Sequence, residues 1–107
     1  MRMEIVRTRV YAKRIAKLLS DKEVLVAEQE IIENPLKFPV ISGTGGVRKA
    51  RAARGASGKS GGVRIIYYYM ADDGLIYMLD VYAKNEQENI IEAEKKIFRE
   101  IVRELKG

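Results

Sequence analysis

The sequence contains no histidine, no cysteine and no tryptophan among its 107 residues. The missing cysteines exclude disulfides and thiol chemistry, and the missing histidines exclude histidine triads, zinc–histidine sites and imidazole acid–base catalysis. No apolar run approaches the roughly 18–20 residues of a membrane helix, and the polar N-terminus does not fit a secretory signal. Any catalysis must therefore use Lys, Arg, Tyr, hydroxyl or carboxylate side chains, and we expect a cytoplasmic protein without membrane contact.

Basic residues dominate the middle of the chain. Residues 34–71 contain no Asp or Glu, although the whole chain has a net charge of only +5. Such a one-sided block favours a polyanionic partner, of which nucleic acid is the commonest, whereas the alternative is a solvated segment that aids solubility. The basic residues of the block are Lys37, Arg48, Lys49, Arg51, Arg54, Lys59 and Arg64.

The first third of the chain predicts a strand followed by two helices. Met1–Arg7 alternates in polarity, which is typical of a short strand. Thr8 is a candidate N-cap for the first helix, and Ser20 with Glu23 forms a capping box for the second. The second helix should end at Asn34, because the residue before a proline is disfavoured in helical conformation.

The remainder predicts three strands and a final helix. Val47–Arg54 is extended by context, while Val63–Met70 and Leu75–Ala83 are rich in β-branched and aromatic residues and flank an Asp-Asp-Gly turn. These two strands are apolar on both faces, so they should lie at the centre of the sheet. Asn89 and Glu92 resemble a helix cap. The residues expected to be buried here are Ile90, Ile97, Phe98, Ile101 and Leu105.

The resulting order, β-α-α-β-β-β-α, predicts a single α+β domain over residues 1–107. We expect an antiparallel sheet with the helices packed on one face. The opposite face would carry the basic strand residues and would be open to a ligand.

Three local patterns have competing interpretations. Residues 55–60 superficially resemble a phosphate loop, but the glycine spacing and the following strand do not fit that motif. Tyr67, Tyr68 and Tyr69 could stack on bases, or pack in the core. Asp80 needs a partner if it is buried, and whether Arg64 faces it depends on one residue of strand register.

Three segments resemble motifs of HigB-type toxins in the RelE superfamily. Ile41–Arg51 is similar to I-P-G-T-G-G-x-R-K-x-R, Gly61–Tyr69 to G-G-x-R-V-I-Y-Y, and Val81–Glu86 to a strand end with Y-A-K-N-E. The resemblance covers essentially the whole chain and implies a RelE-like fold. It implies the toxin of a type II toxin–antitoxin system, a ribosome-dependent mRNA endonuclease that cuts A-site codons and thereby inhibits translation. It further implies a cognate antitoxin protein, with operator DNA bound only through the antitoxin complex.

The basic residues suit metal-free RNA cleavage, which requires a base, a cation for the phosphorane and an acid for the leaving oxygen. Neighbouring cations can lower the pKa of Lys49 so that it acts as the base, and the sequence offers Arg48, Arg51 and Arg54 for this. Arg51 and Arg64 suit the phosphorane, and Lys84 is our candidate acid. No cofactor or metal is implied. Further RNA- or ribosome-binding candidates are Arg48, Arg54, Lys59 and Asn85.

Two other functions remain open at this point. A non-catalytic RNA- or ribosome-binding protein would inhibit translation without creating new mRNA ends, and its inhibition would weaken in a graded way as each phosphate contact is removed. A degenerate toxin-like protein would be harmless on expression and would bind an antitoxin-like regulator tightly.

Overall fold

Two layers of helices enclose one four-stranded sheet in the computed structural model, which describes residues 3–107 apart from the side chains of Ser57, Lys59 and Ser60. None of the described helices is both long and apolar enough to span a bilayer. A 3₁₀ turn at Gly55–Ser57 precedes the one-turn helix α3. The elements are β1 (Glu4–Arg7), α1 (Arg9–Leu18), α2 (Asp21–Glu33), β2 (Arg48–Ala52), α3 (Gly58–Gly61), β3 (Val63–Met70), β4 (Leu75–Ala83) and α4 (Glu92–Lys106).

The sheet has the strand order β1-β4-β3-β2, so the two apolar strands β3 and β4 lie at its centre as predicted. The last three strands form the expected antiparallel meander. However, β1 pairs with β4 in parallel, so the sheet is mixed and the prediction of a fully antiparallel sheet was wrong. The connection from β1 to β4 runs through α1, α2, β2 and β3, so it far exceeds the dozen or more residues that a parallel pair needs.

Helices α1 and α2 pack on one face of the sheet, and their starts confirm both predicted caps. The Thr8 hydroxyl accepts a hydrogen bond from Tyr11 N, and Ser20 with Glu23 forms a complete capping box. A buried carboxylate, Glu28, ties the layer together by accepting hydrogen bonds from Arg7 of β1 and from the Tyr11 hydroxyl at 2.7 Å. The core on this face includes Ile15, Ile31, Ile65, Tyr67, Ile76 and Met78.

Helix α4 covers part of the opposite face, whereas we expected all the helices on one face. Phe98 and Val102 of α4 pack with Ile66 and Tyr68 of β3. These two strand residues alternate with Ile65 and Tyr67 and therefore point away from α1 and α2. Sequence patterns give the apolar stripe of a helix but not the sheet face on which it packs.

The start of α4 differs from the prediction. The helix begins at Glu92 with Ile91 as its N-cap residue, and Glu94 accepts a hydrogen bond from Ile91 N at 3.1 Å. The proposed Asn89–Glu92 cap was therefore wrong by two residues. Ile97, which we expected to be buried, is 55% exposed, whereas Val102 is buried although the sequence pattern had not indicated it.

The structure answers the two questions left open about β3 and β4. Tyr67 and Tyr68 are both buried, and the Tyr67 hydroxyl donates to Pro35 O at 2.7 Å, so these tyrosines serve the core. Asp80 pairs with Arg14 of α1 at 2.7 Å rather than with Arg64. The reason is a register shift between Ile66 and Tyr67, which re-aims this part of β4.

Candidate functional site

Four basic residues from three segments meet at one end of the sheet, on the face that α4 partly covers. Arg51 of β2 lies directly opposite Arg64 of β3, so their Cβ atoms are about 4.5–5.5 Å apart. Lys49 lies two residues before Arg51 and therefore on the same face. Lys84 directly follows β4, whose last residue, Ala83, pairs with Val63. We call Lys49, Arg51, Arg64 and Lys84 the cation group.

The four members of the cation group differ in burial. Arg64 is only 4% exposed and forms the floor, with its Nη1 donating to Val63 O at 3.2 Å. Arg51 is exposed, whereas Lys49 and Lys84 are half-buried. Like charges directly opposite each other destabilise a sheet, so the Arg51–Arg64 pair opposes folding. A group that is held together against its own repulsion is suited to bind an anion.

Burial and neighbouring charges favour the neutral form of Lys49. Burial lowers its pKa below the ordinary lysine value, and the positive charges of Arg64, Arg51 and Lys84 lower it further. From the sequence, we expected Arg48, Arg51 and Arg54 to exert this effect. Only Arg51 does so, because the other two contributing cations lie on β3 and after β4.

Burial also lowers the pKa of Arg64, and Arg51 adds to this effect. An arginine nevertheless stays protonated in proteins, so Arg64 remains a fixed positive charge. Its planar guanidinium presents several N–H donors to one anion. Lys84 completes the group and pairs with the exposed Glu88 at 3.4 Å.

Tyr82 is a neighbour of the cation group whose role the sequence analysis missed. It lies directly opposite Arg64, and its hydroxyl is buried without a hydrogen-bond partner among the described residues. Burial raises its pKa, with Glu94 and Asp80 contributing, while Arg64 opposes the shift. The sequence shows that Tyr82 points to the opposite face of β4 from Val81 and Ala83. Its position beside Arg64 depends on the pairing register of β3 and β4.

The four predicted binding residues outside the cation group are dispersed. Arg48 points to the other face of the sheet, where its Nη1 donates to Phe38 O at 2.7 Å. Arg54 lies beyond β2 and lines a cleft of about 530 Å³ together with Arg14 of α1 and Tyr82 of β4. Asn85 is exposed in the turn after β4, and the side chain of Lys59 lies outside the described part of the structure.

Comparison with known proteins shows what the chain is similar to. The family model described as the RelE toxin of the RelE/RelB toxin–antitoxin system matches residues 3–107. A solved structure of the Escherichia coli toxin RelE, a double Arg-to-Ala variant in the free state, superposes with a TM-score of 0.63 and 16% identity over 91% of this chain and 97% of that chain. The intact E. coli RelBE toxin–antitoxin complex contains a chain that matches with a TM-score of 0.58 and 16% identity, covering 77% of this chain and 96% of that one.

Proposed function

The chain belongs to the RelE family of toxins from toxin–antitoxin systems, and from this premise we propose that it is a ribosome-dependent mRNA endonuclease that cuts codons in the A site. The observation that carries the proposal is the cation group, in which a lysine of lowered pKa adjoins two guanidinium groups. This arrangement fits attack by a ribose 2′-OH on the neighbouring phosphate.

Lys49 is the proposed general base. Its neutral form takes the proton of the 2′-OH, and the 2′-oxygen attacks phosphorus. Burial and three neighbouring cations favour that neutral form. An arginine in the same place would supply charge but would not accept the proton.

Arg51 and Arg64 are the proposed stabilisers of the phosphorane. Their positions on paired strands let both guanidinium groups approach one phosphate, and the buried position of Arg64 strengthens its field. The bond from phosphorus to the 5′-oxygen then breaks. The products of this route are a 2′,3′-cyclic phosphate and a free 5′-hydroxyl.

Two groups of the site are able to protonate the leaving 5′-oxygen. The Tyr82 hydroxyl is protonated at neutral pH but fully buried in the free protein. The Lys84 side chain is about one-third exposed and therefore accessible to a bound strand. We assign the acid to Lys84 for this reason.

The chemistry of the site supports the proposed dependence on the ribosome. Lysine is a poorer general base or acid near pH 7 than histidine, because its ordinary pKa lies far above neutrality, so its neutral form is scarce and its protonated form is a weak acid. Holding the codon so that the 2′-oxygen, phosphorus and leaving oxygen are aligned can supply several kcal/mol. A ribosome that fixes the mRNA provides such alignment, whereas free RNA must be ordered by this small protein alone.

The proposed protein partner is a cognate antitoxin. A related toxin fold occurs in the intact E. coli RelBE complex, and this chain exposes apolar side chains such as Leu25 and Val26 on α2. We extend the pairing to this chain, with operator DNA contacted only through the antitoxin complex and with action in the cytoplasm. The HigB-type assignment within the family remains a prediction.

A purified translation reaction tests the proposal. Primer extension should reveal new mRNA ends in A-site codons when ribosomes are present and none when they are omitted. Arg64→Ala should remove these ends while circular dichroism shows an intact fold. Inhibition of translation without new ends would favour the alternative of blocking by occupancy, and no inhibition would favour a protein retained only to bind its antitoxin.

A further inference from the structure

A cleft of about 460 Å³ opens beside Lys49. One wall is the segment before β2, and the other is the segment that leads into α4. The cleft belongs to no residue set discussed so far, apart from Lys49 itself. Its principal lining residues are Val40, Ser42, Lys49, Asn89, Ile90 and Lys95.

We propose that this cleft, hereafter the Lys49 cleft, binds the nucleobase of the mRNA nucleotide next to the cleaved phosphate, and that Asn89 reads its edge. The inference rests on the proposed function and deepens it, because it assigns codon preference to particular residues. The cleft shares Lys49 with the cation group. An RNA strand that places its 2′-OH at Lys49 therefore also passes the cleft.

One wall of the Lys49 cleft, the segment before β2, is held in place by hydrogen bonds within the chain. The segment before β2 is held to that strand by Lys49 N donating to Pro39 O at 3.1 Å and Ile41 N donating to Val47 O at 2.7 Å. The Thr44 hydroxyl then closes the turn by donating to Ile41 O at 2.6 Å. Preorganised walls reduce the entropy lost when a ligand binds.

The backbone of Asn89 accepts a hydrogen bond within the protein, whereas its side chain makes none among the described residues. Its carbonyl accepts a hydrogen bond from Gln87 Nε2 at 3.0 Å, and the same nitrogen donates to Glu94 at 2.8 Å. The Asn89 side-chain amide itself makes no hydrogen bond within the described structure. An exposed amide offers both donors and an acceptor, and this combination recognises the edge of an unstacked base in single-stranded RNA.

The chemistry of the lining matches a nucleotide. Val40 and Ile90 supply apolar walls for the faces of a flat ring, while Lys49 and Lys95 supply two positive charges for phosphates. Among the described residues, Lys95 pairs with the exposed Glu92 at 3.4 Å, and a phosphate can replace this surface ion pair. The volume lies within the roughly 300–1,000 Å³ range of ordinary ligand sites.

Codon preference on the ribosome gives the first test. Cleavage rates are measured on mRNAs that differ only in the bases of the A-site codon, for the wild type, Asn89→Ala and the control Gln29→Ala, which alters an exposed amide on α2. We expect Asn89→Ala to narrow the ratio between the best and worst codons by roughly five- to a hundredfold. The control should keep the full ratio. An equal loss on every codon, or no change, would overturn the proposal.

A ribosome-free measurement separates failure of this inference from failure of the proposed function. Four 2′-O-methyl trinucleotides that differ in the central base, and that contain no 2′-OH to react, are titrated into ¹⁵N-labelled protein. We expect the Asn89 side-chain amide signals to shift, with affinities that differ at least fivefold among the four bases, while the Gln29 amide stays unmoved. If the wild type cuts no mRNA but the Asn89 signals still shift with base-dependent affinity, the result supports base binding by the cleft and contradicts the endonuclease activity. If no trinucleotide moves the Asn89 signals, or if Asn89→Ala keeps the same base preference, the cleft is not a base-binding site.

Discussion

Replacing Tyr82 with phenylalanine should make this protein more stable. The Tyr82 hydroxyl is buried and has no hydrogen-bond partner among the described residues. A buried polar group without a partner destabilises the folded state by about 1–3 kcal/mol, because water satisfies it in the unfolded chain. Tyr82→Phe removes the hydroxyl and keeps the ring, so we expect the free energy of unfolding to rise by about 1–2 kcal/mol.

The chain contains a matched control for the same chemical change. The Tyr11 hydroxyl is also buried, but it donates to the carboxylate of Glu28 at 2.7 Å. Tyr11→Phe removes that donor from a buried charge and should lower stability by about 1.5–3 kcal/mol. The two substitutions therefore delete the same atom and should change stability in opposite directions.

Thermal and urea unfolding followed by circular dichroism provide the assay. For a domain of about this size, 1 kcal/mol corresponds to roughly 4–8 °C in Tm. Because burial raises the pKa of Tyr82, its hydroxyl stays protonated from pH 6 to 9, and the gain should be the same across that range. Cleavage should be largely retained, since we assign the acid to Lys84. A Tm for Tyr82→Phe below that of the wild type would refute the reasoning.

Three further predictions concern pH, a buried carboxylate and a glycine. The cleavage rate should rise with pH and level off below the ordinary lysine pKa of about 10.4. Arg51→Gln should move this rise to higher pH, because it removes a charge that lowers the pKa of Lys49. An unmoved pH–rate profile would contradict the assignment of Lys49 as the base. Glu28→Gln should destabilise the fold by about 2 kcal/mol in urea unfolding, because it removes the ion pair to Arg7 and the charged acceptor of the buried Tyr11 hydroxyl. Unchanged stability would show that this network contributes little. Gly62→Ala should lower Tm by about 10 °C or more, since a Cβ would lie 2.0 Å from a backbone oxygen of β2. A wild-type Tm would show that the strands can separate there without loss of stability.

Local signals in the sequence predicted local structure well. The Ser20–Glu23 capping box and the two long apolar strands were confirmed, because a cap depends on neighbouring residues and a strand buried on both faces has no polar alternation. The parallel pairing of β1 with β4 and the position of α4 were not predicted. Both depend on which distant surfaces meet, and a residue pattern does not contain that information.

The candidate site was predictable only in part. Alternation along β2 places Lys49 and Arg51 on one face and could have separated Arg48 from them. Their contact with Arg64 required the β2–β3 register, in which one residue of slip moves every side chain to the other face. The Lys49 cleft joins segments about fifty residues apart, so it became visible only in the folded chain.

The most direct test of the cation group as a catalytic site is the single-turnover cleavage rate of Lys49→Arg on programmed ribosomes. Arginine keeps the positive charge and therefore the electrostatic contribution to RNA binding, but it does not accept a proton. Loss of a general base lowers a rate by about 10²–10⁴-fold, so we predict a fall of at least a hundredfold with unchanged ribosome affinity. Cleavage at the wild-type rate would contradict the assignment of Lys49 as the base.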